Sequence, residues 1–74
     1  MKRYIAHIDG MECGMCEAHI NDLLRKKFNA AKIKTSHLRN ESTFVSEEDI
    51  PRFELQFELG KLGYKLKDLR EEAL

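Results

Sequence analysis

The chain has 74 residues, of which 42% are hydrophobic and 35% charged, and its 13 basic residues are balanced by 13 acidic ones. This length allows one small domain, which we expect to span residues 1–74, and the composition is typical of a globular protein rather than a disordered chain. A net charge of zero supplies no overall field for binding nucleic acid or an anionic membrane.

The N-terminal residues predict a strand, because Tyr4, Ala6 and Ile8 alternate with their neighbours along one face. This start lacks the apolar core of a signal peptide, and no apolar run is long enough to be inserted into a membrane. We therefore expect a cytoplasmic location. In that reducing compartment, a lone cysteine pair is expected to bind metal or to perform redox chemistry rather than to staple the fold.

The two cysteines follow the first strand, after the turn residues Asp9 and Gly10. From about Cys16 to Asn29 the apolar residues recur at three- and four-residue steps, which predicts a helix. A C-x-x-C at a helix entrance can bring two sulfurs to one soft metal ion, and it can also form a redox disulfide. Next, alternation through Ile33, Thr35 and His37 and the strand formers at 42–45 predict a hairpin.

The second half of the chain is harder to interpret. Ser46 and the three acids after it resemble a helix start, with Pro51 in the first turn. The predicted helix then carries two apolar stripes on opposite sides, one containing Phe53 and Phe57 and the other the leucines at 55, 59 and 62. Either the phenylalanines form the core, or both stripes are covered because the domain forms a homodimer. A short strand at 64–66 and a charged tail at 67–74 complete the prediction.

The order strand, helix, strand, strand, helix, strand, with Gly10-Met11 and the Cys13-x-x-Cys16 pair at the first turn, resembles the heavy-metal-associated domain. Ile20, Leu24 and the Gly63-Tyr64 pair also fit that family's pattern. The resemblance implies an α+β fold, a ferredoxin-like βαββαβ sandwich of two helices on a four-stranded antiparallel sheet. It also implies a copper chaperone or a module whose partner is a metal-transporting ATPase or another metalloprotein.

In that family Cys13 and Cys16 would be the metal ligands, Met11 a buried anchor of the loop, and Tyr64 a neighbour that shields the site. Two thiolates suit copper(I), whereas a carboxylate at Glu12 would favour zinc(II) or another divalent ion. We consider Glu12, His19 and His37 as auxiliary ligands. Their alternative roles are a solvated loop acid, a surface histidine and a half-buried hairpin histidine.

Two other classes of function remain open. A small thiol-disulfide redox protein could also place C-x-x-C at a helix N-terminus, although this chain has no Trp or Pro beside its cysteines. A non-catalytic dimerisation module would not need the cysteines at all. No combination of nucleophile, base and oxyanion donor in the sequence predicts an enzyme.

Overall fold

The computed structural model describes all 74 residues and contains four strands and two helices. The elements occur in the order β1 (Lys2–Asp9), α1 (Gly14–Phe28), β2 (Ala31–Ser36), β3 (Glu41–Ser46), α2 (Arg52–Lys61) and β4 (Lys65–Ala73). The strands form one sheet in the order β2-β3-β1-β4, with every neighbouring pair antiparallel. The ferredoxin-like βαββαβ fold predicted from the sequence is confirmed.

The core lies between the sheet and the two helices. Alternate residues of β1, beginning at Tyr4, face the helices, and α1 contributes Ile20 and Leu24 at helical spacing. The core cluster consists of Tyr4, Ala6, Ile8, Met11, Ile20, Leu24, Ala30, Phe44, Ile50, Leu55, Leu59, Tyr64 and Leu66. Neither helix is both long enough and apolar enough to cross a membrane.

Helix α1 begins two residues before the predicted start and ends where predicted. Asn29 follows its last turn in the left-handed conformation, with φ of 53°, which asparagine adopts more readily than most residues. The backbone N–H of Ala30 then donates to the carbonyl of Leu24 over 3.1 Å and closes the helix end. This turn leads directly into β2.

The predicted start of α2 is wrong. Ser46 is the last residue of β3 and is buried there, and its hydroxyl accepts a hydrogen bond from the Glu48 backbone at 3.2 Å. Pro51 occupies the residue before the helix, rather than its first turn. The loop between them is held by the Tyr4 hydroxyl, which accepts the backbone N–H of Ile50 at 3.0 Å in the core.

The predicted C-terminal tail is also wrong, because residues 65–73 form the long edge strand β4. This strand pairs with β1 from Lys65 opposite Asp9 to Ala73 opposite Lys2. Most of its residues after Leu66 are charged, so the hydrophobic pattern does not indicate a strand there, and pairing with β1 sets its length. Charged residues are frequent on edge strands, where they discourage pairing with other chains.

The two apolar stripes of α2 have different environments. Leu55 and Leu59 are fully buried, whereas Phe53 and Phe57 are 74% and 63% exposed. The interpretation in which the phenylalanines form the core is therefore wrong. The alternative, in which a second copy covers the exposed phenylalanines, stays a prediction.

Candidate metal centre

The loop between β1 and α1 depends on a glycine. Gly10 has φ of +106°, a region that side chains disfavour, and a Cβ at this position would lie 3.2 Å from Cδ1 of Tyr64 and 3.3 Å from the carbonyl oxygen of Gly63. The next residue, Met11, is buried in the core cluster. The Gly10 turn lies against Tyr64, and Met11 is buried in the core, so the loop is fixed to the domain before it reaches Cys13.

Both cysteines are free thiols, and they differ in exposure. Cys13 has extended backbone angles just before α1 and is exposed, while Cys16 lies in the first turn and packs partly against the core. The backbone N–H of Cys16 donates to the carbonyl of Cys13 over 3.1 Å. This turn places the two cysteines close together at the N-terminal end of the helix.

The surroundings of Cys16 favour its thiolate. The pKa of Cys16 is lowered from 9.0 to about 7, first by the backbone of Glu12, then by the Tyr64 hydroxyl and the Cys13 backbone, against an opposing effect of burial. The same contact raises the pKa of Tyr64 to about 12, because its proton is retained beside the sulfur. The loop therefore stabilises a negative charge at one of its two sulfurs.

We predict that Tyr64→Phe raises the pKa of Cys16, because the variant removes a donor to the thiolate and keeps the ring. A folded-state pKa below the unfolded one stabilises the fold fully at high pH, and that contribution is lost as pH falls through the folded pKa. The unfolding free energy of the metal-free wild type should thus rise between about pH 7 and pH 9, and less steeply in the variant. Thiolate absorbance and denaturant titrations across this range test both effects, and identical titration curves would contradict them.

The other ligands considered from the sequence do not join the cysteines. Glu12 and His19 are exposed, and His37 lies in the turn after β2. No three side chains among the histidines, cysteines, aspartates and glutamates form a group that could hold a metal ion. The roles of these three residues as auxiliary ligands stay predictions.

His37 instead contacts Glu17, the acidic residue in the first turn of α1. One carboxylate oxygen of Glu17 accepts the backbone N–H of His37 at 2.8 Å and lies 2.6 Å from the ring Nδ1. The Glu17 side chain is 28% exposed, and Glu17 directly follows Cys16 in the chain. The sequence carries only a weak signal for the contact between Glu17 and His37. Glu17 is an acid directly after Cys16, and the predicted hairpin that contains His37 lies at the same end of the domain.

Comparison of the structure with solved structures finds close likeness of fold. The N-terminal domain of ZntA in its apo form is 24% identical, with 97% of this chain and 93% of that domain covered and a TM-score of 0.73. The yeast copper transporter domain Ccc2a is 22% identical over 97% of this chain and 100% of that domain, with a TM-score of 0.80. A copper-binding domain from the P-type ATPase HMA7 is 19% identical over 99% and 96%, with a TM-score of 0.74.

Comparisons by sequence find less. No protein-family model matches the chain, and no curated protein is recognisably related to it. At these identities the structural likeness establishes the fold. The resemblance to the heavy-metal-associated domain is therefore confirmed in the fold.

Proposed function

We propose that this chain, as a single domain in the cytoplasm, binds one soft metal ion, copper(I) in the first instance, through the thiolates of Cys13 and Cys16. The observation that carries this proposal is the pair of free thiols on an anchored surface loop, one of them already favoured as thiolate. Neighbours of the same fold support it, since Ccc2a has been described with copper(I) and ZntA with zinc(II). Thiolates are the ligands that soft ions prefer.

The exposure of the site suits transfer of metal to a partner protein. Cys13 is open to solvent at the end of the domain, so an incoming thiolate could approach a bound ion without unfolding of the loop. A three-coordinate intermediate could then form before Cys13 or Cys16 leaves. A closed four-ligand site would not permit such an exchange. We accordingly propose a metal-transporting ATPase or another metalloprotein as the partner.

Zinc(II) or another divalent ion is the alternative cargo, with Glu12 as an oxygen ligand. Glu12 immediately precedes Cys13 and is exposed, so its carboxylate is free to turn towards the ion. Zinc(II) is bound by sulfur and carboxylate oxygen together, whereas copper(I) is satisfied by the two sulfurs. The choice of ion is therefore expected to depend on Glu12 more than on any residue of the core.

An anaerobic competition titration with copper(I) and zinc(II) tests the function. We expect the wild type to bind one ion per chain, and Cys13→Ser with Cys16→Ser to lose binding of both ions. Glu12→Gln should leave copper(I) affinity unchanged and should weaken zinc(II) about tenfold if Glu12 is a ligand. Undiminished binding by the double serine variant would contradict the proposal.

Thiol-disulfide exchange is the rival chemistry for the same pair. The lowered pKa of Cys16 is compatible with it, because a thiolate is also the attacking species in disulfide exchange. A redox protein would reduce a disulfide substrate catalytically and would have a disulfide potential in the catalytic range. A metal carrier would bind its ion tightly and turn over no disulfide substrate.

We also predict weak self-association through α2. Phe53 and Phe57 lie one turn apart and border an open groove of about 480 Å³ between the helices. Their exposed area is too small for a tight dimer, since stable interfaces bury about 800 Å² per partner. Sedimentation at high micromolar concentration should detect dimers of the wild type and only monomers of Phe53→Glu with Phe57→Glu. A monomeric wild type, both metal-free and loaded, would contradict this prediction.

A further inference from the structure

The contact between Glu17 and His37 joins the first turn of α1 to the turn between β2 and β3. Both hydrogen bonds go to the same oxygen, Oε2 of Glu17, from the backbone N–H of His37 at 2.8 Å and from its Nδ1 at 2.6 Å. An ionised carboxylate only accepts hydrogen bonds, so Nδ1 carries the proton. The two side chains are 28% and 30% exposed, which shields the contact partly from water. The Glu17 carboxylate is thus held in a defined position.

That position matters because Glu17 lies one helical turn after Cys13. The backbone N–H of Glu17 donates to the carbonyl of Cys13, the residue just before α1, over 3.4 Å, so Glu17 lies in the first turn of the helix beside the cysteine loop. Helical side chains lean towards the N-terminus of the helix. Without the His37 side chain, only the backbone N–H of residue 37 would hold the Glu17 carboxylate. The carboxylate could then leave that single hydrogen bond and turn towards Cys13 and an ion held by the cysteines.

We propose that hydrogen bonds from His37 keep the Glu17 carboxylate away from the cysteine pair. A bound ion then meets two thiolates and no oxygen ligand from α1. This inference rests on the proposed function and adds a determinant of metal choice. A carboxylate oxygen is a good ligand for zinc(II) and adds little for copper(I), which is satisfied by two sulfurs. The Glu17–His37 hydrogen bonds would then disfavour divalent ions at this site.

The proposal predicts that His37→Ala tightens zinc(II) binding about tenfold and leaves copper(I) affinity unchanged. The gain should require the released carboxylate, so Glu17→Gln combined with His37→Ala should return to the wild-type zinc(II) affinity. Glu17→Gln alone should change nothing, because the wild-type carboxylate does not reach the ion. His37→Asn, whose amide N–H can donate from near the position of Nδ1, should keep wild-type behaviour.

The matched control is His7→Ala, which removes a histidine from the face of β1 opposite the core and should change neither affinity. A second readout is the ¹³C chemical shift of the Glu17 carboxyl group, which should move on zinc(II) binding in His37→Ala and stay unchanged in the wild type. Circular dichroism establishes that each variant is folded. Because His37→Asn keeps the side-chain hydrogen bond that His37→Ala removes, the comparison does not depend on the alanine variant alone.

Three outcomes overturn the proposal. Equal zinc(II) affinity in His37→Ala and in its combination with Glu17→Gln would show that Glu17 is not released to the ion. Weaker zinc(II) binding by Glu17→Gln alone would show that Glu17 is already a ligand in the wild type. A wild type that binds neither ion would overturn the proposed function as well, whereas the first two outcomes leave that function intact.

Discussion

Replacing Leu55 with alanine is expected to lower the free energy of unfolding by about 2–5 kcal/mol. Leu55 is fully buried between α2 and the sheet, so the change removes apolar contacts and leaves a cavity that the small core cannot fill. Domains of this size have only a few kcal/mol of total stability. The variant should therefore be partly unfolded at room temperature, as measured by urea denaturation followed by circular dichroism.

The matched control is Phe57→Ala, two residues further along the same helix. Phe57 is larger than Leu55 but mostly exposed, and the Lys61 ammonium group lies over its ring, 4.5 Å from the centroid. We expect its loss to cost less than about 1 kcal/mol, the range of an exposed cation–π contact. A larger cost for Phe57→Ala than for Leu55→Ala would mean that α2 presents its opposite face to the core.

Replacing Gly10 with alanine is expected to destabilise the domain by about 1–3 kcal/mol and to disturb the loop that carries Cys13 and Cys16. The positive φ of Gly10 is strained for any residue with a Cβ. The new atom would also press on the Tyr64 ring and on the backbone carbonyl of Gly63, and a backbone atom cannot simply rotate away. The hydrogen bond from Tyr64 lowers the pKa of Cys16, so displacing Tyr64 should raise that pKa. This rise should accompany the loss of stability.

Gly14→Ala is the control for this prediction. Gly14 begins α1, and a Cβ there would meet no atom within 4 Å. Alanine is also favoured over glycine in a helix by up to about 1 kcal/mol, so this variant should be as stable as the wild type or more so. Denaturant unfolding of the two variants side by side measures the difference. Equal stabilities would contradict the role assigned to the Gly10 turn.

The sequence predicts the elements whose side chains alternate between core and solvent. Strand β1 and helix α1 follow from spacing alone, because the buried residues of each recur at the period of its own structure: Tyr4, Ala6 and Ile8 in β1, and Ile20 and Leu24 in α1. Strand β4 follows only in part: the short strand predicted at 64–66 overlaps its start, whereas most residues beyond Leu66 are charged and are held extended by pairing with β1. The buried face of α2 is likewise undetermined, because Phe53 and Leu55 offer equally apolar stripes and the choice depends on how the helix meets the sheet.

The same division applies to the site. The cysteine pair is evident from its local spacing. The turn before it follows from Gly10, because glycine tolerates the backbone angles of a sharp turn. The contact of Glu17 with His37 joins residues twenty positions apart, and it depends on the placement of the hairpin beside α1. Such a contact comes from tertiary structure, so neither residue type nor spacing could predict it.

The most direct test of the central claim is X-ray absorption spectroscopy of the anaerobic copper(I)-loaded protein. If Cys13 and Cys16 hold the ion, the spectrum of the wild type should show sulfur ligands, with one copper per chain. Cys13→Ser with Cys16→Ser should retain no copper after desalting. A wild-type spectrum dominated by nitrogen or oxygen, or copper retained by the double variant, would contradict the assignment.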